Sequence, residues 1–263
     1  MFRNKIHSRE DLKKFFRNGG IPTETHFSNL IDSMINKQDD GFSKDDENGL
    51  ILSSRGDSKK FVTLFKNIDD LSPFFHIEKD EQEIAGLRLK PANNIAEEQE
   101  DKNSFFFHEN GNLGIGTRST DPYKLQVKGF AGMEGRVGTF LQGEVPADGK
   151  WYSVIEELNN CQAFEVIART GKKGSGKFAI LHAYALSAFG NSSSKIRKVS
   201  AHFGSFWNGA FWNKIGIRWE SKNTHNYALQ LRTNRNYGHG VSVFYKVTKL
   251  WDDEKFLPPE YYY

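Results

Sequence analysis

The chain has 263 residues, a formal net charge of +3 and 26% charged residues, room for two or three small domains with a sizeable core. The near balance of signs excludes the broad basic field that drives nucleic-acid binding, and no apolar run is long enough to cross a bilayer as a helix. One cysteine, Cys161, excludes an intrachain disulfide framework and a cysteine-based zinc cluster.

High phenylalanine and glycine counts, 22 and 24, point to a mainly β chain with aromatic cross-strand contacts. The first residues, Met1 to Ser8, lack the apolar core of a secretion signal. The expectation is synthesis and assembly in the cytoplasm, with any release occurring as part of a larger particle.

Residues 8 to 18 read as a short helix, with Ser8 as cap and Leu12, Phe15 and Phe16 as the apolar stripe. Gly19 and Gly20 end it. Thr23 caps a second helix whose face carries Phe27, Leu30, Ile31, Met34 and Ile35, and Asp39-Asp40-Gly41 closes it. That spacing suits packing against copies of itself or against the first helix. From 48 to 108 come short β-like pieces: Gly49–Ser53, Lys60–Phe65, Pro73–Ile77, Gly86–Lys90 and Ser104–His108. None is long enough for a sheet of its own, so they are expected to wrap around an axis shared with other chains. Residues 96 to 103 read as a solvated charged loop, and Arg55-Gly56-Asp57 as a turn.

The stretch from Asn110 to Gly129 packs glycines around short apolar alternations. Leu113, Ile115 and Thr117 point one way and Gly114 and Gly116 the other, with Leu125 and Val127 repeating the alternation. A strand with a glycine face can press backbone against backbone in a neighbouring chain. After Gly129 the strands lengthen and alternate cleanly, as in Ile215, Ile217, Trp219 and in Tyr227, Leu229, Leu231. With 151 to 158, 163 to 169, 177 to 186, 196 to 202 and 241 to 247 they make about seven strands of a sandwich.

Gly111-Asn-Leu-Gly-Ile-Gly-Thr117, then Asp121-Pro122, then Lys124-Leu-Gln-Val-Lys-Gly129 resembles the shaft element of trimeric phage tail fibres and related bacterial surface fibres. The segment from Gly20 to Gly41 is similar to the N-terminal part of proteins encoded with phage-tail-like contractile injection systems, which docks onto the baseplate or another part of the particle. These resemblances imply a helical docking module (1 to 45), an intertwined β stalk of trimeric β-prism or triple β-helix type (46 to 129) and an antiparallel β-sandwich head (130 to 263). They also imply a homotrimer that is a structural appendage, with Phe27, Leu30, Ile31 and Met34 as docking residues. Its partners would be baseplate or other particle proteins and a cell-surface glycan or protein receptor. Alternatives are a baseplate-associated cage or collar scaffold, and a carbohydrate-binding or carbohydrate-active head on a fibre stem.

On the head, Phe-Trp-Asn occurs twice between Gly204 and Asn213. Trp207, Asn208, Trp212 and Asn213 suit a sugar, because ring faces take C–H patches and amides take hydroxyls; the alternative is that the indoles close the sandwich core. A second candidate joins His225, in the 223 to 226 loop, with Arg232, Arg235 and Tyr237, polar donors suited to an acidic glycan or a protein rim; the alternative is an ordinary solvated loop. No catalytic constellation is evident. Glu156 and Glu157 lack a placed partner carboxylate, the histidines show no metal spacing, and Gly171 to Lys177 departs from a phosphate loop because Phe178 stands where a hydroxyl residue is needed. The expectation is a non-enzyme with neither cofactor nor metal, and no membrane insertion.

Overall fold

The computed structural model describes residues 7–36, 39–54, 56–67, 70–82, 84–92, 101–204 and 212–263. The chain is mainly β, with several antiparallel sheets, and divides into two compact units, Met1–Ala131 and Gly132–Tyr263.

In the first unit, α1 (Arg9–Phe15) starts where Ser8 Oγ accepts the Asp11 N–H. Asp11 also binds Lys14 Nζ at 2.8 Å and Ser8 Oγ, and these bonds hold its carboxyl down at about 2. Helix α2 (Glu24–Asp32) follows Thr23, whose N–H donates to His26 Nδ1. Its last residue, Asp32, lies seven positions, about two turns, before the Asp39-Asp40-Gly41 signal. The Ser33 hydroxyl donates to the Asn29 carbonyl at 2.6 Å, and the Ser33 and Met34 N–H groups reach only three residues back. That tightened turn terminates the helix. A two-stranded hairpin follows, β1 (Phe42–Asp45) with β2 (Gly49–Leu52).

Six strands then form one sheet in chain order: β3 (Lys60–Leu64), β4 (Phe75–Asp80), β5 (Gly86–Pro91), β6 (Phe105–His108), β7 (Leu113–Ile115) and β8 (Leu125–Val127). The expectation that these pieces are too short for a sheet of their own is wrong. Successive antiparallel pairing, closed by a parallel β7–β8 pair, satisfies their backbones within one chain. The expected glycine face toward a neighbouring chain is corrected too. A Cβ on Gly114 would clash with the Thr117 carbonyl and sit 3.0 Å from Ser119 N; one on Gly86 would meet the Phe107 carbonyl. The chain's own backbone fills the space the glycines leave.

The two faces of this sheet differ in an unexpected sense. The closed face carries His76, Glu78, Asp80, Arg88, Phe106 and His108, each no more than 9% exposed. Charges there are met in place: Arg118 clamps Asp80 through Nε and Nη2 (2.8 and 3.1 Å) and reaches Asp101 through Nη1 (2.8 Å). Arg88 binds Ser104 Oγ at 3.0 Å and Asp101 at 3.0 Å, and Lys90 binds Glu78 at 3.1 Å. Burial alone would lower the Arg118 pKa, but the bonds to Asp80 and Asp101 raise it overall. Both guanidinium groups lie over the Phe106 ring. The other face is an apolar lattice. One row across the strands reads Val62, Ile77, Leu89, Phe105, Ile115, Val127, and the next, after Lys79 at its β4 end, Leu87, Phe107, Leu113, Leu125. None of these side chains is buried.

The second unit has a five-stranded sheet, in the order β13 (Lys195–Phe203), β12 (Phe178–Ala188), β11 (Cys161–Thr170), β16 (Ser242–Asp252), β9 (Leu141–Pro146). Its three-stranded sheet is β10 (Tyr152–Leu158), β15 (Asn226–Thr233), β14 (Ile215–Asn223). Inward residues of both, among them Phe164, Val166, Leu181, Val243, Val247, Ile215, Leu229 and Leu231, form one sandwich-like core. Each such large side chain contributes about 1.5–3 kcal/mol on burial. Strand β9, absent from the sequence reading, is an edge strand with Gly143 and Pro146 that, among the described residues, pairs only with β16. Residues 171 to 177 are the β11–β12 hairpin loop, with Gly171, Gly174 and Gly176 at positive φ. The last residues pack on their own unit: the Tyr263 ring stacks on His225 at 4.2 Å, and its N–H donates to Asn160 Oδ1. A short helix, α3 (Asp253–Phe256), precedes that tail.

Candidate functional site

The sequence-derived site residues of the head are not one patch. Trp207 and Asn208 lie outside the described residues, as does Arg55 of the Arg-Gly-Asp turn. Trp212 is exposed, but Asn213 beside it is fully buried and its amide donates to the Phe203 carbonyl at 3.1 Å. Asn213 is therefore a tether, not a surface ligand. His225 sits in the turn before β15, against Tyr263 and 3.2 Å from Asn159 Oδ1, while Arg232 lies near the other end of the same strand. Seven residues of extended chain separate these two by roughly 23 Å. Tyr237 is buried in the core, its hydroxyl unpartnered among the described residues, and desolvation pushes that hydroxyl up to about 12. Arg235 is half-buried on the loop between them. The docking residues of α2 are open: Phe27 touches Phe16 edge-on at 5.4 Å, and Phe27, Ile31 and Met34 stay at least half exposed, with Leu30 half-buried.

A different arrangement draws in Arg232 together with residues the sequence reading did not select. Register places Gly216 opposite Arg232 and Arg218 opposite Gln230, which faces Ser153 on β10. The indole of Trp151, just ahead of β10, lies over Gly216; a Cβ there would be 3.3 Å from both Trp151 Cη2 and Arg232 Cγ. Two guanidinium groups approach that one ring, Arg218 at 4.3 Å and Arg232 at 4.5 Å from its centroid. Arg218 donates from Nε to Gln230 Oε1 at 2.9 Å and has Glu220 3.9 Å from Nη2. Gln230 donates in turn to Glu220 and Ser153. Arg232 has no hydrogen bond or ion pair among the described residues, and its Nε is both hidden from solvent and unpartnered. The sequence signal was present in Arg218 and Arg232, polar members of alternating strands. What brings Trp151 to them is strand pairing across 65 residues or more of chain.

On the outer face of the five-stranded sheet, Glu165 is only 5% exposed. Arg136 Nη2 donates to both its oxygens at 2.9 and 2.7 Å, and His182 Nε2 lies 2.8 Å from Oε1. This clip fastens the segment ahead of β9 onto the sheet. Beside it runs a shallow groove of about 570 Å³ along Ile167, Arg169, Phe244 and Lys246. Among the described residues no group of three or more His, Cys, Asp or Glu side chains is placed to hold a metal ion. Glu156 and Glu157 are exposed at an irregularity of β10, where Glu157 takes a positive φ. Burial, then the charge of Asp253, pushes the Cys161 thiol up, away from the reactive thiolate. No helix among the described residues is long and apolar enough to cross a membrane. Compared with protein-family models, curated proteins and solved structures, the chain matches none of them.

Proposed function

We propose that the protein is a structural, non-catalytic appendage of a contractile injection system or phage-like tail. Copies associate through residues 60 to 127, the N-terminal helices dock to the particle, and the second unit presents a binding head. The observation that carries this reading is the open apolar face of the six-stranded sheet. The glycine-faced ribbons that first pointed to braided chains are filled internally; the ground for association is instead the lattice of Ile77, Leu87, Leu89, Phe105, Phe107, Leu113 and Leu125.

Six strands spaced about 4.8 Å apart, each offering roughly five residues, give that face a footprint on the order of 400 Å². The largest apolar patch of a monomer is itself about 300–600 Å² and often functional, so a face of this size supports an interaction surface without requiring one. A second copy is the occupant whose matching face removes both patches from water at once, and three copies close them around a common axis, a β-prism arrangement. Multivalency then converts weak single-head contacts into useful avidity without any catalytic group.

Sedimentation velocity of the full chain at micromolar concentration tests this. The expected species is a trimer of about 90 kDa, from a 30.1 kDa chain; Phe107→Glu, half exposed in the single chain, is expected to yield monomer with unchanged circular dichroism. A wild-type monomer under those conditions rejects the stalk.

A further inference from the structure

We infer that Arg232, with Arg218 and the indole of Trp151, forms a site for the carboxylate or sulfate group of an acidic saccharide. The inference deepens the reading of the second unit as a binding head and rests on that part of it alone. Its starting point is an unmet charge. A guanidinium carries five N–H donors, and one withdrawn from solvent is ordinarily met by a carboxylate or carbonyl. Arg232 is half-buried, its Nε is inaccessible, and its side chain has no acceptor among the described residues, so the groups open to a ligand are its Nη donors. The approach of its guanidinium carbon to the Trp151 ring, 4.5 Å from the centroid, satisfies no N–H.

Arg218 shows the contrast on the same ring, because Gln230 and Glu220 already answer it. Both guanidinium carbons lie within 4.5 Å of one centroid, so they are no more than about 9 Å apart, which places a second positive charge in the neighbourhood of an oxyanion held by the Nη groups of Arg232. The site is built in advance of any ligand. Gly216 leaves bare backbone under the indole and the Arg232 stem, and either would be displaced by a side chain there. The exposed Asn234 and the hydroxyl proton of half-buried Ser153 supply polar groups around the charge, while the buried Gln230 is already engaged by Arg218, Glu220 and Ser153; such groups recognise sugar hydroxyls. A nucleic acid is a poor fit, because the chain carries a net charge of only +3 and one unmatched guanidinium is not a stripe of phosphate contacts.

The test is calorimetric titration of the full-length protein with four probes: an oligogalacturonate, a heparin-derived oligosaccharide, a neutral maltohexaose and sodium sulfate. The expected result is binding of at least one acidic oligosaccharide, weakened by raising salt from 50 to 200 mM, with no binding of the neutral one. Arg232→Gln is expected to lower that affinity by about tenfold or more, the loss of a charge-assisted hydrogen bond. Arg232→Lys, which keeps the charge and loses the fork, is expected to fall between. Circular dichroism of each variant confirms that it is folded. Equal affinity in wild type and a folded Arg232→Gln, equal binding of the neutral sugar, or a response to sulfate alone overturns the proposal. A monomeric chain that still binds in an Arg232-dependent way would remove the stalk and keep this site; a trimer that binds neither acidic probe would do the reverse.

Discussion

Replacing Gly114 by alanine asks directly whose atoms fill the glycine face of β7. In the fold a Cβ at that position would sit 3.0 Å from Ser119 N, 3.1 Å from the Thr117 carbonyl carbon and closer still to its oxygen. All three are backbone atoms, so no rotamer change relieves the clash; the 117 to 119 segment or the strand itself must move. Overpacking of a filled site costs about 1–3 kcal/mol, and a backbone obstacle puts this change at the upper end. The same segment carries the Ser119 N–H bond to His108 and the Arg118 clamp on Asp80, so displacement loosens the ion network as well. Gly132→Ala is the control, since nothing lies within 4 Å of its Cβ and its φ is not positive; it is expected to change stability by no more than about 1 kcal/mol. Urea unfolding followed by far-UV circular dichroism measures both. All five tryptophans belong to residues 151 to 251, so tryptophan fluorescence reports the second unit alone, and its transition should be unmoved by Gly114→Ala. Wild-type stability in Gly114→Ala would refute the reasoning, for it would leave the glycine face empty in the single chain and free to meet another.

Two further outcomes follow from buried polar groups. Asp80→Asn removes a carboxylate that is 6% exposed and bonded twice by Arg118, and is expected to destabilise the first unit by about 3–5 kcal/mol, because the guanidinium stays behind under-compensated; thermal melting followed at a β-sheet wavelength reads it. Tyr237 keeps its proton up to about 12 in the fold but releases it near 10 when unfolded. Between those values the unfolded chain holds fewer protons, so this contribution to stability is complete below pH 10 and is lost as pH rises toward 12. Tyr237→Phe is expected to flatten that alkaline slope in urea titrations while leaving stability near pH 7 unchanged or slightly higher, since the hydroxyl it removes has no partner among the described residues.

Much of the local structure was legible because it is written in short-range chemistry. Ser8 and Thr23 mark their helix starts, the pieces near 49, 60, 86 and 105 are strands, and the alternation of 215 to 219 and 227 to 231 separates core from surface. Of the proposed saccharide patch, Arg232 alone had been selected from the sequence as a site residue, although Arg218 stood out as a polar member of its alternating strand. Trp151 and Arg218 carry no shared sequence signal, and Asn213 and Tyr237, polar by type, turned inward.

Alternation by itself determined that each short strand has two unlike faces, and composition determined that the chain is mainly β. Only the tertiary structure decided which face each strand hides. In the six-stranded sheet it hides the charged one, because Arg118, Arg88 and Lys90 find Asp80, Asp101 and Glu78 within salt-bridge distance and the 117 to 119 segment covers Gly114. A period of two records that neighbours differ, whereas the sign of burial depends on partners 12 to 38 residues away along the chain, and those meet only when the sheet is assembled.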